Sequence, residues 1–503
     1  PRHTCDFAFL RAYVSAENIG VDFSPDNVPY RPKSYLKISL EGFEENAFSF
    51  VMGYPGRTYR NNTLSEVEFD IRQMKKRMAL YKEIISFLEK ASADSPEVQI
   101  KYAGKIRGLN NSLKNYQGKV EGMAKIRLIE RKKNQEAAFL EWLDQDPALK
   151  KAYGGVLQEI ASYMKKYETH QSRSNLLNQM VSSYLGSSVL AQAHLIYRTA
   201  QERQRPDIER EPGFQERDLP YIRQRITLAE RSYELNTDRA FLKFRIKKLV
   251  DEPWNLIPAA FQPLLARPSN AAIEEYVDAL YQNTVIFDPQ KRLELLENTP
   301  EELLKLNDGF LNLAAELENE MKDLREEAKA LAQERLDLKK RYIEALLKMK
   351  NGRIAPDANS TIRFTYGFIR GYTPRDAVYY LPQTTLKGVI EKDTGTFPFR
   401  VPPGLKSLFA RKDFGRYVDP SLGDIPVCFL NTTNVTGGNS GSPTLNARGE
   451  LIGIIFDMTY ESVTGDYLVI PELQRSISVD IRYVLFVTEK FLGAAHILKE
   501  LNL

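Results

Sequence analysis

The hydrophobic period of the chain changes twice. Up to about residue 62, apolar and polar positions alternate in short runs. Phe7-Ala8-Phe9-Leu10-Arg11-Ala12-Tyr13 and Phe48-Ser49-Phe50-Val51-Met52-Gly53-Tyr54 read as strands, the second stopped by Pro55-Gly56. Between them Tyr35, Leu36, Lys37 and Ile38 alternate. These are pieces of an antiparallel sheet, too few to close a barrel by themselves.

At about Thr63 the period becomes helical. Val67, Ile71, Met74, Met78, Tyr81, Ile85 and Leu88 recur at helical spacing, and Ser65 with Glu68 fits a capping box at the start. Ser95-Pro96 predicts a second long helix, running to about Trp142 and punctuated by Asp146-Pro147. More helix is expected to Arg203, then a polar loop from Arg205 to Pro220, then helices to Lys350. Thr299-Pro300-Glu301-Glu302 combines a cap, a first-position proline and a capping box. Residues 310 to 350 read as one long amphipathic helix with a solvated charged face, a coiled-coil arm being the alternative.

From Gly352 the period returns to two. Ser360 to Gly367 opens a series of short strands reaching about Val487, and an amphipathic helix from Glu489 to Leu501 closes the chain. The expectation is an α+β protein with β-rich residues 1–62, a helical block over 63–352 and a second β region over 353–503. The helical block then stands as an insertion into, or between, barrels.

Composition narrows the function classes. The 503 residues are 43% hydrophobic and 27% charged, an ordinary globular balance. A net charge of +4, from 70 basic and 66 acidic residues, argues against nucleic acid and anionic membrane surfaces as partners. No apolar run approaches the ~20 residues that span a bilayer. Cys5 and Cys428 are too few for a disulfide framework or a zinc site, and whether they pair is open. No metal or cofactor is expected. The chain starts at a proline without a signal peptide, so we expect it to be internal to a longer gene product.

The chemistry centres on Thr436-Gly437-Gly438-Asn439-Ser440-Gly441-Ser442-Pro443, between the strand-like runs Pro426–Leu430 and Leu451–Phe456. A serine between glycines on a tight loop suits an acyl-transfer nucleophile, because glycines permit sharp turning and close approach of a substrate carbonyl. In the trypsin-like arrangement the oxyanion is held by the N–H of the nucleophile and of the residue two before it. Those are Ser440 and Gly438. A plain Gly/Ser/Asn turn is the alternative for a shorter motif.

Further stretches carry a resemblance. Arg2-His3-Thr4-Cys5-Asp6-Phe7 (with Pro1 before it), Tyr35-Leu36-Lys37-Ile38-Ser39, Gly53-Tyr54-Pro55-Gly56-Arg57-Thr58, Lys114-Asn115-Tyr116-Gln117-Gly118 and Pro356-Asp357-Ala358-Asn359 form one set. Thr365-Tyr366-Gly367, the Ser440 loop and Ile477-Ser478-Val479-Asp480-Ile481-Arg482-Tyr483 complete it. In this order they resemble the bacterial dipeptidyl-peptidase 7 and dipeptidyl-peptidase 11 family of serine exopeptidases. The resemblance implies a chymotrypsin-type double β-barrel, its first barrel incomplete here, with a helical domain capping the cleft. It also implies release of dipeptides from a free N-terminus, and a periplasmic or secreted location.

The resemblance assigns Asp6 as the triad aspartate, expected to be buried and to orient a histidine. From spacing alone Asp6 reads as a turn residue, and Cys5 stands where the family usually has glycine. None of His3, His170, His194 and His496 fits the catalytic histidine, which is expected upstream, so the supplied residues should be inactive. By the same resemblance Asn111 and Asp457 bind the substrate ammonium, with Asn110 one residue away as an alternative to Asn111. Met458 occupies the position that resembles a selector of the second substrate residue. It is neither the arginine that accompanies acidic substrates nor the glycine that accompanies bulky ones, and an apolar preference is expected. Oligopeptides are the expected partners, and a homodimer is left open. The other readings are a trypsin-like endopeptidase and a non-catalytic peptide-binding helical scaffold.

Overall fold

A computed structural model describes residues 2–282, 284–396 and 398–503, so Pro1 lies outside the described residues. The protein is rich in helix and carries one large antiparallel sheet. It divides into a β unit, residues 1–62, 121–128 and 355–503, and a helical unit, residues 63–120 and 129–354.

In the β unit, β1 (Tyr13–Val14) and β2 (Val28–Pro29) form a two-stranded ribbon. The main sheet is built from β3 (Phe48–Gly53), β4 (Arg363–Phe368), β7 (Gln383–Thr385), β8 (Pro426–Asn431), β9 (Pro443–Asn446), β10 (Leu451–Met458) and β11 (Ser476–Asp480). A small hairpin, β5 (Tyr372–Arg375) with β6 (Val378–Tyr380), lies outside it. The order in the seven-stranded sheet is β4-β3-β9-β10-β11-β8-β7. Just past β4, an antiparallel bridge joins Ile369 to Asn431 at the end of β8, and the Arg370 N–H donates to Leu430 O at 3.2 Å. The sheet thus curls until β4 meets β8.

This topology corrects one expectation. Phe48–Gly53, read with a first barrel, is an inner strand of the sheet that carries the Ser440 loop. Its partners are β4, in register from Phe48↔Phe368 to Gly53↔Arg363, and β9, from Ser49↔Asn446 to Val51↔Thr444. The inward side chains Ser49 and Val51 are fully buried. On the other face Phe48, Phe50, Phe364, Tyr366 and Phe368 form a cross-strand aromatic ladder, with ring centroids 5.0 Å apart for Phe50–Phe364 and 6.2 Å for Phe48–Tyr366. The helical block therefore interrupts this sheet, between β3 and β4.

Phe7–Tyr13 is not a strand except at Tyr13. Among the described residues no strand runs alongside Phe7–Arg11 to take its backbone hydrogen bonds, and Phe9 and Leu10 are exposed. The helix expected over Glu489 to Leu501 is only Ala495–Glu500, preceded by a π-helical turn over Val487–Phe491, and Ile481–Phe486, read with the strands, is helical.

The helical unit begins with α1 (Leu64–Ser92) and α2 (Pro96–Lys125, up to residue 120), followed by α3 (Leu128–Asp144, from residue 129) and α4 (Pro147–Tyr153). Next come α5 (Val156–Met180), α6 (Ser188–Arg203), α7 (Leu219–Leu228) and α8 (Leu235–Leu249). Shorter helices lead to α9 (Gly309–Met349), a single helix of 41 residues. The cap of α1 is Thr63 with Glu66, two residues earlier than expected: the Thr63 N–H donates to Glu66 Oε2 at 2.9 Å. Glu66 is buried because it also receives Lys339 of α9 at 2.8 Å, which ties the first helix to the last. The long helix expected to reach Trp142 instead breaks at Arg127, whose φ of 52° ends the α-helical path. The cap expected at Thr299 with Glu302 is present as written.

Beneath the main sheet of the β unit lies a buried ion cluster. Arg482 donates from Nη2 to Asp480 Oδ2 and from Nη1 to Asp419 Oδ2, each at 2.8 Å. Its guanidinium also lies 5.6 Å from the centre of the Phe43 ring. Burial pushes the Asp480 carboxyl upward, against the pull of Arg482. Breaking such a pair leaves uncompensated buried charge. We expect Arg482→Met to lose about 3–5 kcal/mol in urea denaturation of the β unit. A loss below about 1 kcal/mol would mean that the cluster is replaceable by apolar packing.

Candidate active site

The loop between β8 and β9 is shaped by its own polar side chains. Asn439 is buried and turns its amide back, accepting the Thr436 N–H on Oδ1 at 3.1 Å. The Asn439 N–H donates to Thr436 O at 3.0 Å and the Ser442 N–H to Asn439 O at 2.9 Å. Thr436 Oγ1 donates to Asp466 Oδ1 at 2.6 Å, which fixes the start of the loop. At the other end, the Gly441 N–H donates to Ile455 O at 2.7 Å and the Ile455 N–H to Ser442 O at 2.9 Å, clamping the loop to β10.

Above this base the backbone crowds against Gly53–Gly56. The Gly56 N–H donates to Gly437 O at 2.7 Å. Gly438 has φ +106°, and a Cβ there would lie 2.4 Å from Tyr54 O and 2.8 Å from Gly56 N. A Cβ on Gly53 would lie 2.1 Å from Ser442 Oγ and 2.7 Å from Asn439 Nδ2. Both positions require glycine for space, and Gly438 requires it for its backbone angle as well. Ser440 is exposed at the tip. Among the described residues, the N–H groups of Gly438 and Ser440 donate to no protein acceptor, and the Ser440 hydroxyl has no partner.

The other candidates are placed as follows. Asp6 is exposed rather than buried, and among the described residues its carboxylate has no hydrogen-bond or ion-pair partner. The stretch before it is anchored: Cys428 Sγ, buried on β8, donates to Thr4 O at 3.5 Å, and Thr384 Oγ1 donates to Arg2 O at 2.8 Å. Cys5 and Cys428 are both free thiols, and burial pushes the Cys428 thiol up to about 12. His194 bonds the buried Glu318 at 2.7 Å and His170 approaches Glu327 at 3.3 Å, both within the helical unit. His3 packs against Gly388, and His496 is exposed.

Asp457 sits at a bulge of β10, where the register shifts between Ile455 and Asp457. Its Oδ1 accepts the Met458 N–H at 2.8 Å, and its Oδ2 forms an ion pair with Arg2. Met458 is half-buried opposite Ser476 of β11. Asn111 is exposed on α2 in the helical unit, and Asn110 is half-buried.

Sequence reasoning missed two anchors of this region. Asp466 carries no motif and is found only through Thr436. Asp357 accepts Thr58 Oγ1 at 2.6 Å, the Arg60 N–H at 2.8 Å and the Asn61 N–H at 3.2 Å. Burial opposes its charge, but these donors prevail and hold its carboxyl below the usual range. The only signal for it was its place in a matched stretch.

Relatives give the arrangement its class. The Asp/Glu-specific dipeptidyl-peptidase of Shewanella putrefaciens is 33% identical over 531 residues, covering 100% of this chain and 71% of that protein. Dipeptidyl-peptidase 7 of Phocaeicola vulgatus is 33% identical over 529 residues, covering 100% of this chain and 69% of that one. The crystal structure of Porphyromonas endodontalis DPP11 with the dipeptide Arg-Glu superposes with a TM-score of 0.82 at 30% identity, over 100% of this chain and 71% of the other. The protein is thus a peptidase related over its whole length to dipeptidyl-peptidases. Residues 1–503 match the peptidase S46 model, and the chain belongs to the peptidase S46 family.

The loop geometry makes a sharp contrast testable. Gly437 faces open space where Gly438 does not. Gly437→Ala should leave thermal unfolding nearly unchanged. Gly438→Ala should destabilise by about 1–3 kcal/mol and raise hydrogen exchange across 437–442. Equal behaviour of the two variants would refute the packing described.

Proposed function

We propose that the chain forms the nucleophile-bearing part of a serine dipeptidyl-peptidase of chymotrypsin type. The observation that carries this is the exposed Ser440 beside the uncommitted N–H groups of Gly438 and Ser440, on a loop anchored at both ends. Ser440 Oγ attacks the scissile carbonyl, and the two N–H groups receive the oxyanion. Asp6 orients the histidine that takes the serine proton. That histidine is none of the four in this sequence, so residues 1–503 alone are inactive. We place the enzyme in the periplasm or outside the cell.

Asn111 and Asp457 are proposed to bind the substrate's amino terminus. The pairing of Asp457 with the Arg2 guanidinium supports this, since a substrate ammonium would take the same place beside the carboxylate. Met458 favours an apolar second residue. Arg475, next to the cross-strand partner of Met458, is committed to the carbonyls of Arg370, Gly371, Pro471 and Gln474. It is therefore not available to pair a substrate carboxylate, and an acidic side chain beside Met458 would be desolvated without compensation.

In the full-length enzyme, Ser440→Ala should reduce dipeptide release by at least about a thousandfold with the fold intact. Retained release would overturn the nucleophile assignment. On dipeptidyl fluorogenic substrates varying only the second residue, Leu and Met should exceed Asp and Glu. Met458→Arg should shift kcat/KM towards Asp and Glu by about tenfold or more. Faster cleavage after Asp or Glu by the natural enzyme would refute the apolar reading.

A further inference from the structure

Within the helical unit a cavity of about 660 Å³ opens between α1, α5 and α8. Gln73 of α1, Asn175 and Gln179 of α5, and Arg245 of α8 line it. Arg245 is only 3% exposed and Gln73 only 8%. Charged groups buried this deeply are ordinarily paired.

Arg245 is not paired with a carboxylate. Its Nη2 donates to the neutral Gln179 Oε1 at 2.7 Å, and its buried Nε has no partner among the described residues. Glu83 and Glu252 act on it only through space, and Glu83 is engaged by Lys248 at 3.3 Å. Burial lowers the guanidinium to about 10, so the site as it stands works against the charge it holds.

The amides around it run in one direction. Gln171 Nε2 donates to Asn175 Oδ1 at 2.8 Å, and Asn175 Nδ2 to Gln73 Oε1 at 3.5 Å. This relay uses the acceptor of Gln73 and leaves its buried Nε2 without a partner among the described residues. Gln179 likewise spends its oxygen on Arg245. Among the side chains that line this cavity, the buried atoms left over, Arg245 Nε and Gln73 Nε2, are both donors. A water molecule could accept from them but would bring no charge to the guanidinium, whereas an oxyanion does both.

We propose that this cavity binds a compact oxyanion, a carboxylate or phosphate group, on Arg245 and Gln73. Lys76 and Lys248 add positive charge to the lining, while Glu83, Asp251 and Glu252 on the same lining disfavour a polyanion. The site lies wholly in the helical unit and does not rest on the peptidase chemistry assigned to Ser440.

The test is calorimetric titration of the protein with inorganic phosphate and, separately, with acetate. Saturable binding of at least one is expected, and which one binds identifies the group. Gln73→Leu should weaken it about tenfold or more, and Arg245→Met should abolish it. Should Arg245→Met fail to fold by circular dichroism, Gln73→Leu, which removes only an amide, carries the test. Absence of saturable binding of both probes, or affinity unchanged in Gln73→Leu, would overturn the proposal.

Discussion

The Ser440 loop depends on one constraint: two backbone stretches pack against each other with no room for a side chain between them. Gly437 O accepts the Gly56 N–H, Gly438 lies under Tyr54, and Gly53 lies over Asn439 and Ser442. This contact presses the loop from one side while Asn439, Thr436 and Asp466 fix it from the other. The N–H groups of Thr436, Asn439, Gly441 and Ser442 are engaged within the protein, while those of Gly438 and Ser440 are not. A site that must stabilise developing charge benefits from such rigidity, because its dipoles are already aimed before reaction.

Much of this was legible in the sequence, and the parts that were not have physical reasons. The glycines of the loop announced a tight turn, and Thr299-Pro300-Glu301-Glu302 announced a helix start, because both are local chemistry. The membership of Phe48–Gly53 in the main sheet was hidden. Its alternation predicts a strand but not a partner, and the partner lies beyond the whole helical block. The α1 cap slipped by two residues because Thr63/Glu66 and Ser65/Glu68 offer the same spacing, and the choice fell to Lys339 of a distant helix. Asp466 and Arg245 carry no local pattern at all; their importance arises only when folding brings them beside Thr436 and Gln179.

The two units illustrate different ways of burying charge. In the β unit, Arg482 is matched by two carboxylates and makes a self-sufficient cluster. In the helical unit, Arg245 is surrounded by amides, and the balance is left to whatever enters. The first arrangement favours a single packed state, while the second keeps a polar volume available.

The interruption between β3 and β4 has a consequence for how the protein comes into being. Gly53 and Arg363 are cross-strand neighbours, yet they are roughly three hundred residues apart in the chain. During synthesis β3 emerges first and has neither β4 nor β9 to pair with until the helices have been made. For that interval Phe48 and Phe50, two of the five rings of the aromatic ladder, stand on an unpaired strand edge. Such an edge is an invitation to intermolecular pairing. The helices, rich in local contacts, are suited to fold during this wait, and their folding draws the two distant strands into reach. Biogenesis of the main sheet is thereby made to follow that of the helical block.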